Sequence, residues 1–184
     1  MCYTYDGEIY TQRPGSNPQK VRIDLIRDDQ EQIADLNSSK GATSATVSPD
    51  GKQIAFTLRG EVFVTSADYN TTKQITHTPA AETGICFSPD NRTLAYASER
   101  GGNWQLYLAK IARKEEANFP NATIIEEEVL LPSKTVERNY PQFSPDGKEL
   151  AFIEDRMRLM VVNLETKKVR QVTDGSTSVS YTHL

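Results

Sequence analysis

The residues whose type or spacing singles them out for acid–base, metal or nucleophilic work are few: His77, His183, Cys2, Cys86 and a run of three carboxylates, Glu126–Glu128. A catalytic nucleophile needs a base within hydrogen-bond reach. His183 lies in the last residues, which are set aside below. His77, in "THTP", closes a polar strand pattern, where an exposed or turn-bonding role is expected. No G-x-S-x-G elbow, H-E-x-x-H pair, phosphate loop or calcium loop occurs. "ERGG" at 99–102 lacks the strand-to-helix setting of a phosphate loop and reads as a hairpin turn. The two cysteines have no metal or redox spacing and read as a terminal thiol and a small buried hydrophobe. Successive carboxylates on a strand point to opposite faces, so 126–128 reads as solvated. Lys114-Glu115-Glu116 reads as a solvated loop. The sequence therefore predicts no catalytic residue, no metal and no cofactor within these 184 residues.

Recognition is the remaining chemistry, and it depends on where the elements place the charged side chains. Three near-copies of one stretch organise the chain: "VSPDGKQIAF" at 47–56, "FSPDNRTLAY" at 87–96 and "FSPDGKELAF" at 143–152. In each, proline presets φ for the second turn position, aspartate tolerates the next, and glycine takes a left-handed conformation. Asn91 replaces glycine in the middle copy and is the usual second choice there. The following triplet, Ile54-Ala55-Phe56, Leu94-Ala95-Tyr96 or Leu150-Ala151-Phe152, is apolar on both faces of a strand and predicts cover on both sides. A short strand precedes each turn (44–47, 84–87, 140–143). Another follows each triplet (60–66, 103–111, 158–164), and a polar one comes after it in two copies (73–78, 169–174).

Ser48, Ser88 and Ser144 stand 40 and 56 residues apart, the excess fitting in 112–131. Four antiparallel strands with a period of ~40 residues are the signature of a β-propeller blade. The predicted fold is all-β, a β-propeller fragment with three recognisable four-stranded blades and part of a preceding one. Residues 1–42 read as the end of that earlier blade and a linker. "DGEIYT" at 6–11 would be its third strand, "KVRIDLIRD" at 20–28 its last, and 28–41 polar linker. Residues 43–80 form a blade, 81–134 a blade with a long loop insertion, and 135–176 a third blade. Residues 177–184 read as a non-native tail, because "VSYTHL" at 179–184 resembles a sequencing adaptor translated in frame.

This topology gathers the loops between second and third strands, and those between blades, at one end. That end carries Arg59, Asp155 and Arg156 together with Glu82, Glu99, Arg100, Glu137, Arg138 and Asn139. The last six are the candidate peptide- or protein-contact face. Composition limits other partners. Lys plus Arg is 21 against Asp plus Glu 25, so the basic footprint of a nucleic-acid binder is missing. No apolar run approaches the ~20 residues of a membrane helix. "MCYTYDGEIY" lacks the pattern of a signal peptide.

With "VRQVTDG" after it, "FSPDGKELAF" resembles TolB-like propeller repeats. The runs "RGEVFV" and "THTPAAE" look more narrowly like the propeller region of tricorn-type proteases, and the resemblance covers about residues 7–176. It implies the non-catalytic propeller of a cytoplasmic serine peptidase, guiding peptides to a catalytic domain absent from this chain. The alternatives it leaves are a TolB-like protein-binding scaffold without enzymatic activity and the propeller of a prolyl-oligopeptidase-type hydrolase, and a periplasmic setting is the alternative to the cytoplasmic one. The implied partners are peptides or other domains of the same protein, with a homo-oligomer of the full-length parent left open.

Overall fold

A computed structural model describes residues 1–5, 8–21 and 41–173. The chain divides into two units, Met1–Ser38 and Ser39–Leu184. The first holds an antiparallel sheet of β1 (Cys2–Tyr5), β2 (Glu8–Thr11) and β3 (Gln19–Lys20), in that order. Tyr3 pairs with Tyr10, and their rings stack at 5.9 Å. The strand expected at 6–11 is β2. Most of the strand expected at 20–28, most of the linker and the tail at 177–184 lie outside the described residues.

The second unit contains three four-stranded antiparallel sheets, each a propeller blade. The first blade is β4 (Ala42–Val47), β5 (Gln53–Leu58), β6 (Glu61–Ser66) and β7 (Thr72–Gln74). The second is β8 (Glu82–Phe87), β9 (Thr93–Ser98), β10 (Gln105–Ile111) and β11 (Ile125–Leu130). The third is β12 (Arg138–Phe143), β13 (Glu149–Glu154), β14 (Arg158–Asn163) and β15 (Val169–Gln171). Strand order follows chain order in every blade, and β4, β8 and β12 adjoin one another along the inner edge.

The repeated turns close as their sequence requires. Gly51, Asn91 and Gly147 have φ of 75°, 62° and 70°. Serine adds a lock that the Pro-Asp-Gly reading did not include. The Ser48 hydroxyl donates to Asp50 Oδ1 at 2.6 Å, and Ser48 Oγ accepts from the Gln53 amide at 2.9 Å. Ser88 and Ser144 repeat both bonds. The serine bond, more than any charge, holds the carboxyls of Asp50 and Asp146 below the ordinary aspartate range.

Blade-to-blade packing follows one rule. At the first seam, Leu94 and Tyr96 of the second blade pack on Ala55, Val62 and Val64 of the first. At the second seam, Leu150 and Phe152 of the third blade pack on Ala95, Cys86 and Leu108 of the second. The small alanine of one blade receives the large side chains of the next, and only a small residue leaves room for them. Leu94, Ala95 and Tyr96 are therefore all fully buried. In the first blade Ala55 is buried while Ile54 and Phe56 are half-buried. In the third, Leu150 and Phe152 are buried and Ala151 is half-buried.

The first strand of each blade begins two residues earlier than the short patterns suggested. A register shift in each makes this extension: between Ala42 and Ser44, Thr83 and Cys86, and Asn139 and Gln142. In β8 the irregularity contains Gly84, with φ 65°, where an added Cβ would lie 3.4 Å from the Tyr140 backbone of the adjoining strand. The insertion in the second blade also has internal structure. Its 3-10 turn, Phe119–Asn121, buries Phe119 and Pro120. The Phe119 amide donates to Gln53 Oε1 at 2.7 Å, and its ring meets Phe87 at 6.2 Å, so the loop staples the first seam. The fourth strand of this blade, β11, follows it and carries Glu126–Glu128.

Candidate functional site

At the loop end of the second blade, register brings Glu82, the first residue of β8, opposite Ser98, the last of β9. The Glu82 side chain is completely buried. Three hydroxyls satisfy it: Ser98 donates at 2.8 Å, Thr78 at 2.9 Å and Thr76 at 3.2 Å. Thr76 also contacts Glu61, the first residue of β6, and Glu61 Oε1 accepts the Thr78 amide at 2.9 Å. Arg100 closes the group. Its guanidinium binds both oxygens of Glu127, reaches Glu82 at 3.4 Å and lies 4.2 Å from the Tyr107 ring centre. Two carboxylates, Glu127 and Glu82, thus share one guanidinium, and Thr76 links a third, Glu61, to the group. Burial, reinforced by the charges of Glu82 and Glu61, pushes the Glu127 carboxyl up to about 7. The alternation expected along 126–128 holds, since Glu128 turns instead to Lys110, at 2.7 Å.

Beside this network an open cleft of about 580 Å³ lies between the β7–β8 connection, the β9–β10 turn and the approach to β12. Trp104, His77, Glu99, Arg100, Asn103 and Glu137 are among its lining residues. Three of the predicted contact residues, Glu99, Arg100 and Glu137, come together here. Glu82 and Arg138 do not occupy the open loops expected of them. Both begin strands, because the register shifts lengthen β8 and β12, and both are spent internally. Arg138 pairs with Glu154 at 3.1 Å and bonds the Leu131 carbonyl. Asn139 is half-buried inside β12, opposite Ile153. The buried carboxylate of Glu82 offers a partner nothing.

Sequence reasoning missed Trp104 as a site residue. The sequence pattern places it in the strand at 103–111, but β10 begins at Gln105, which leaves the indole at the mouth of the hairpin. The signal available was a lone tryptophan directly after the "ERGGN" turn. His77 is exposed, as expected, and also faces this cleft. Cys86 lies within the second seam, where burial pushes its thiol up to about 12. It behaves as a small hydrophobe there. No group of His, Cys, Asp or Glu among the described residues could hold a metal ion. None of their helices is long and apolar enough to cross a membrane.

The family model described as the TolB beta propeller domain matches residues 10–182. The chain belongs to the TolB β-propeller family. It is 29% identical over 113 residues to the Tol-Pal system protein TolB of Helicobacter pylori, covering 59% of this chain and 26% of that protein. A TolB from Francisella tularensis is 29% identical over 92 residues, 47% of this chain and 18% of that one. The chain thus spans about a quarter or less of the curated relatives it matches. Among solved structures, TolB from Acinetobacter baumannii superposes with a TM-score of 0.56 at 18% identity, covering 94% of this chain and 40% of that one. A puromycin-hydrolysing peptidase from Mycobacterium tuberculosis superposes with a TM-score of 0.55 at 15% identity, covering 89% and 29%. At such identities the two structures speak for the propeller fold alone.

Proposed function

We propose that this chain is the propeller portion of a TolB-like, non-catalytic protein-binding scaffold, and that its loop end, with the Trp104 cleft, is the contact face. The observation that carries this reading is the 29% identity over 113 residues with a Tol-Pal system TolB protein. The cleft supports it, since a half-buried aromatic beside open charges suits polypeptide contact. The tricorn-type expectation ranks lower, because the peptidase likeness rests on fold at 15% identity. The cytoplasmic setting rested on that resemblance and falls with it in rank. The periplasmic alternative goes with the TolB relatives. Partners on this reading are proteins or peptides.

The test uses the full-length parent protein. It is assayed against aminoacyl and dipeptidyl amide substrates, and its reading frame is followed past the third blade. The scaffold reading expects no turnover and no hydrolase domain. Measurable peptide hydrolysis, or a downstream serine-nucleophile domain, overturns it in favour of a peptidase propeller.

A further inference from the structure

We propose that the Trp104 cleft is a seat for a cationic side chain, an arginine or lysine presented by a protein partner. Trp104 is the only tryptophan of the chain. Its indole packs partly on the second seam, and the residue also lines the cleft. The backbone around it is fixed: its carbonyl accepts the Arg138 amide at 2.9 Å and Gln105 Nε2 at 2.7 Å. The first of these bonds draws Glu137, the residue before Arg138, alongside. The β9–β10 turn, closed by the Gly102 amide donating to the Glu99 carbonyl at 2.8 Å, holds Glu99 nearby.

The polar groups of the cleft differ in how fully they are used. The guanidinium of Arg100 is committed to Glu127, Glu82 and Tyr107. Asn103 Nδ2 donates to the carbonyls of Ser133 and Val136, both at 3.2 Å. By contrast, the Glu99 carboxylate accepts one long bond from the Ala81 amide, at 3.4 Å. Among the described residues the Glu137 carboxylate meets only Arg156, at 3.8 Å, and the side chain of Arg156 is 84% exposed. Such an exposed pair is weak and easily exchanged. What the cleft offers an incoming cation is therefore an indole and two under-used carboxylates, with exposed His77 and the committed Arg100 also on its wall. Tryptophan is the strongest aromatic partner for a cation, and a carboxylate bonded to a guanidinium gives a charge-assisted pair.

The inference rests on the scaffold reading only for the statement that the cation arrives on a protein. Trp104 itself reports on it. The emission of the 184-residue chain is titrated with the blocked tripeptide Ac-Gly-Arg-Gly-NH2, its neutral citrulline counterpart, and ethylguanidinium as a small free cation. The arginine peptide is expected to give a saturable change with a Kd on the order of 1 mM. The citrulline peptide should bind at least about tenfold more weakly, and Glu99→Gln and Glu137→Gln should each raise the arginine Kd about threefold. Equal response to arginine and citrulline, or no saturable response, overturns the site without any variant being made. Ethylguanidinium binding as tightly as the peptide overturns the assignment to a protein side chain. A parent that hydrolyses peptides while arginine still outbinds citrulline sinks the scaffold reading and leaves the site standing. An inactive parent with no charge preference sinks the site alone.

Discussion

The middle blade and its two neighbours are built from the same triplet, yet they differ in what covers it. Leu94-Ala95-Tyr96 is buried on both faces, Ile54-Ala55-Phe56 only on its alanine face, and Leu150-Ala151-Phe152 only on its leucine–phenylalanine face. The two half-covered faces are complementary halves of the same kind of seam, one large and one small. A blade does not carry its own core; each core is made jointly with the next repeat. The sequence repeats the triplet because every seam needs both its large and its small half.

A charge on the small side of a seam should have the largest effect. Ala95→Asp buries a carboxylate inside the second seam and should destabilise by about 4 kcal/mol, whereas Ala151→Asp in the 184-residue chain should cost under about 1 kcal/mol. Urea denaturation of the two variants measures the difference, and equal costs would contradict the seam rule. Truncation of the large side comes next. Phe152→Ala should cost about 3–4 kcal/mol and Phe56→Ala about 1 kcal/mol, because only the first leaves a closed cavity. Comparable urea midpoints for these two would show that the outer face of the first blade is covered after all.

The insertion distinguishes the first seam from the second. Gln53 is buried with its Oε1 taken by the Phe119 amide. Gln53→Ala leaves that amide unpaired and should cost about 1–2 kcal/mol. Native-state hydrogen exchange should show the loss as faster exchange around 119–122, with no change at the second seam. Uniform acceleration across both seams would mean the loop is not a local staple.

The smallest effect concerns pH. The folded Glu127 carboxyl titrates near 7, above its ordinary value. Between those two values the folded state holds the extra proton, so this group's contribution favours folding at low pH and is lost as pH rises through about 7. The melting temperature should therefore decline by about 2–3 °C between pH 5.5 and 8 from this source, and Glu127→Gln should flatten that slope. An unchanged slope in the variant would remove Glu127 as its cause.

Much of the fold was legible because turn chemistry is local. Pro, Asp and Gly at fixed offsets specify a hairpin, and an apolar triplet specifies a two-sided strand, whatever lies elsewhere in the chain. Asn91 at φ 62° even shows the expected substitution. The site was less legible because it depends on register. Nothing local announces that the shift at Gly84 carries Glu82 opposite Ser98 and into the interior, or that Arg138 folds back on Glu154. Phe119 was equally hidden: within a polar loop, its burial is decided in part by Gln53, 66 residues earlier in the first blade. Trp104 was visible as a residue but not as a site, since one position decides whether it enters β10 or stays at its mouth.

The seam rule makes the outer faces of the first and third blades halves of seams of the same kind as the two inside the chain. It is tested most directly by measuring the cost of Ala151→Asp twice, in the 184-residue chain and in the full-length parent. In the chain the cost should stay under about 1 kcal/mol; in the parent, where a following blade would close on that alanine, it should rise to about 4 kcal/mol, matching Ala95→Asp. A cost that stays small in both would mean that no blade closes on Ala151, and the seam rule would end at the third blade.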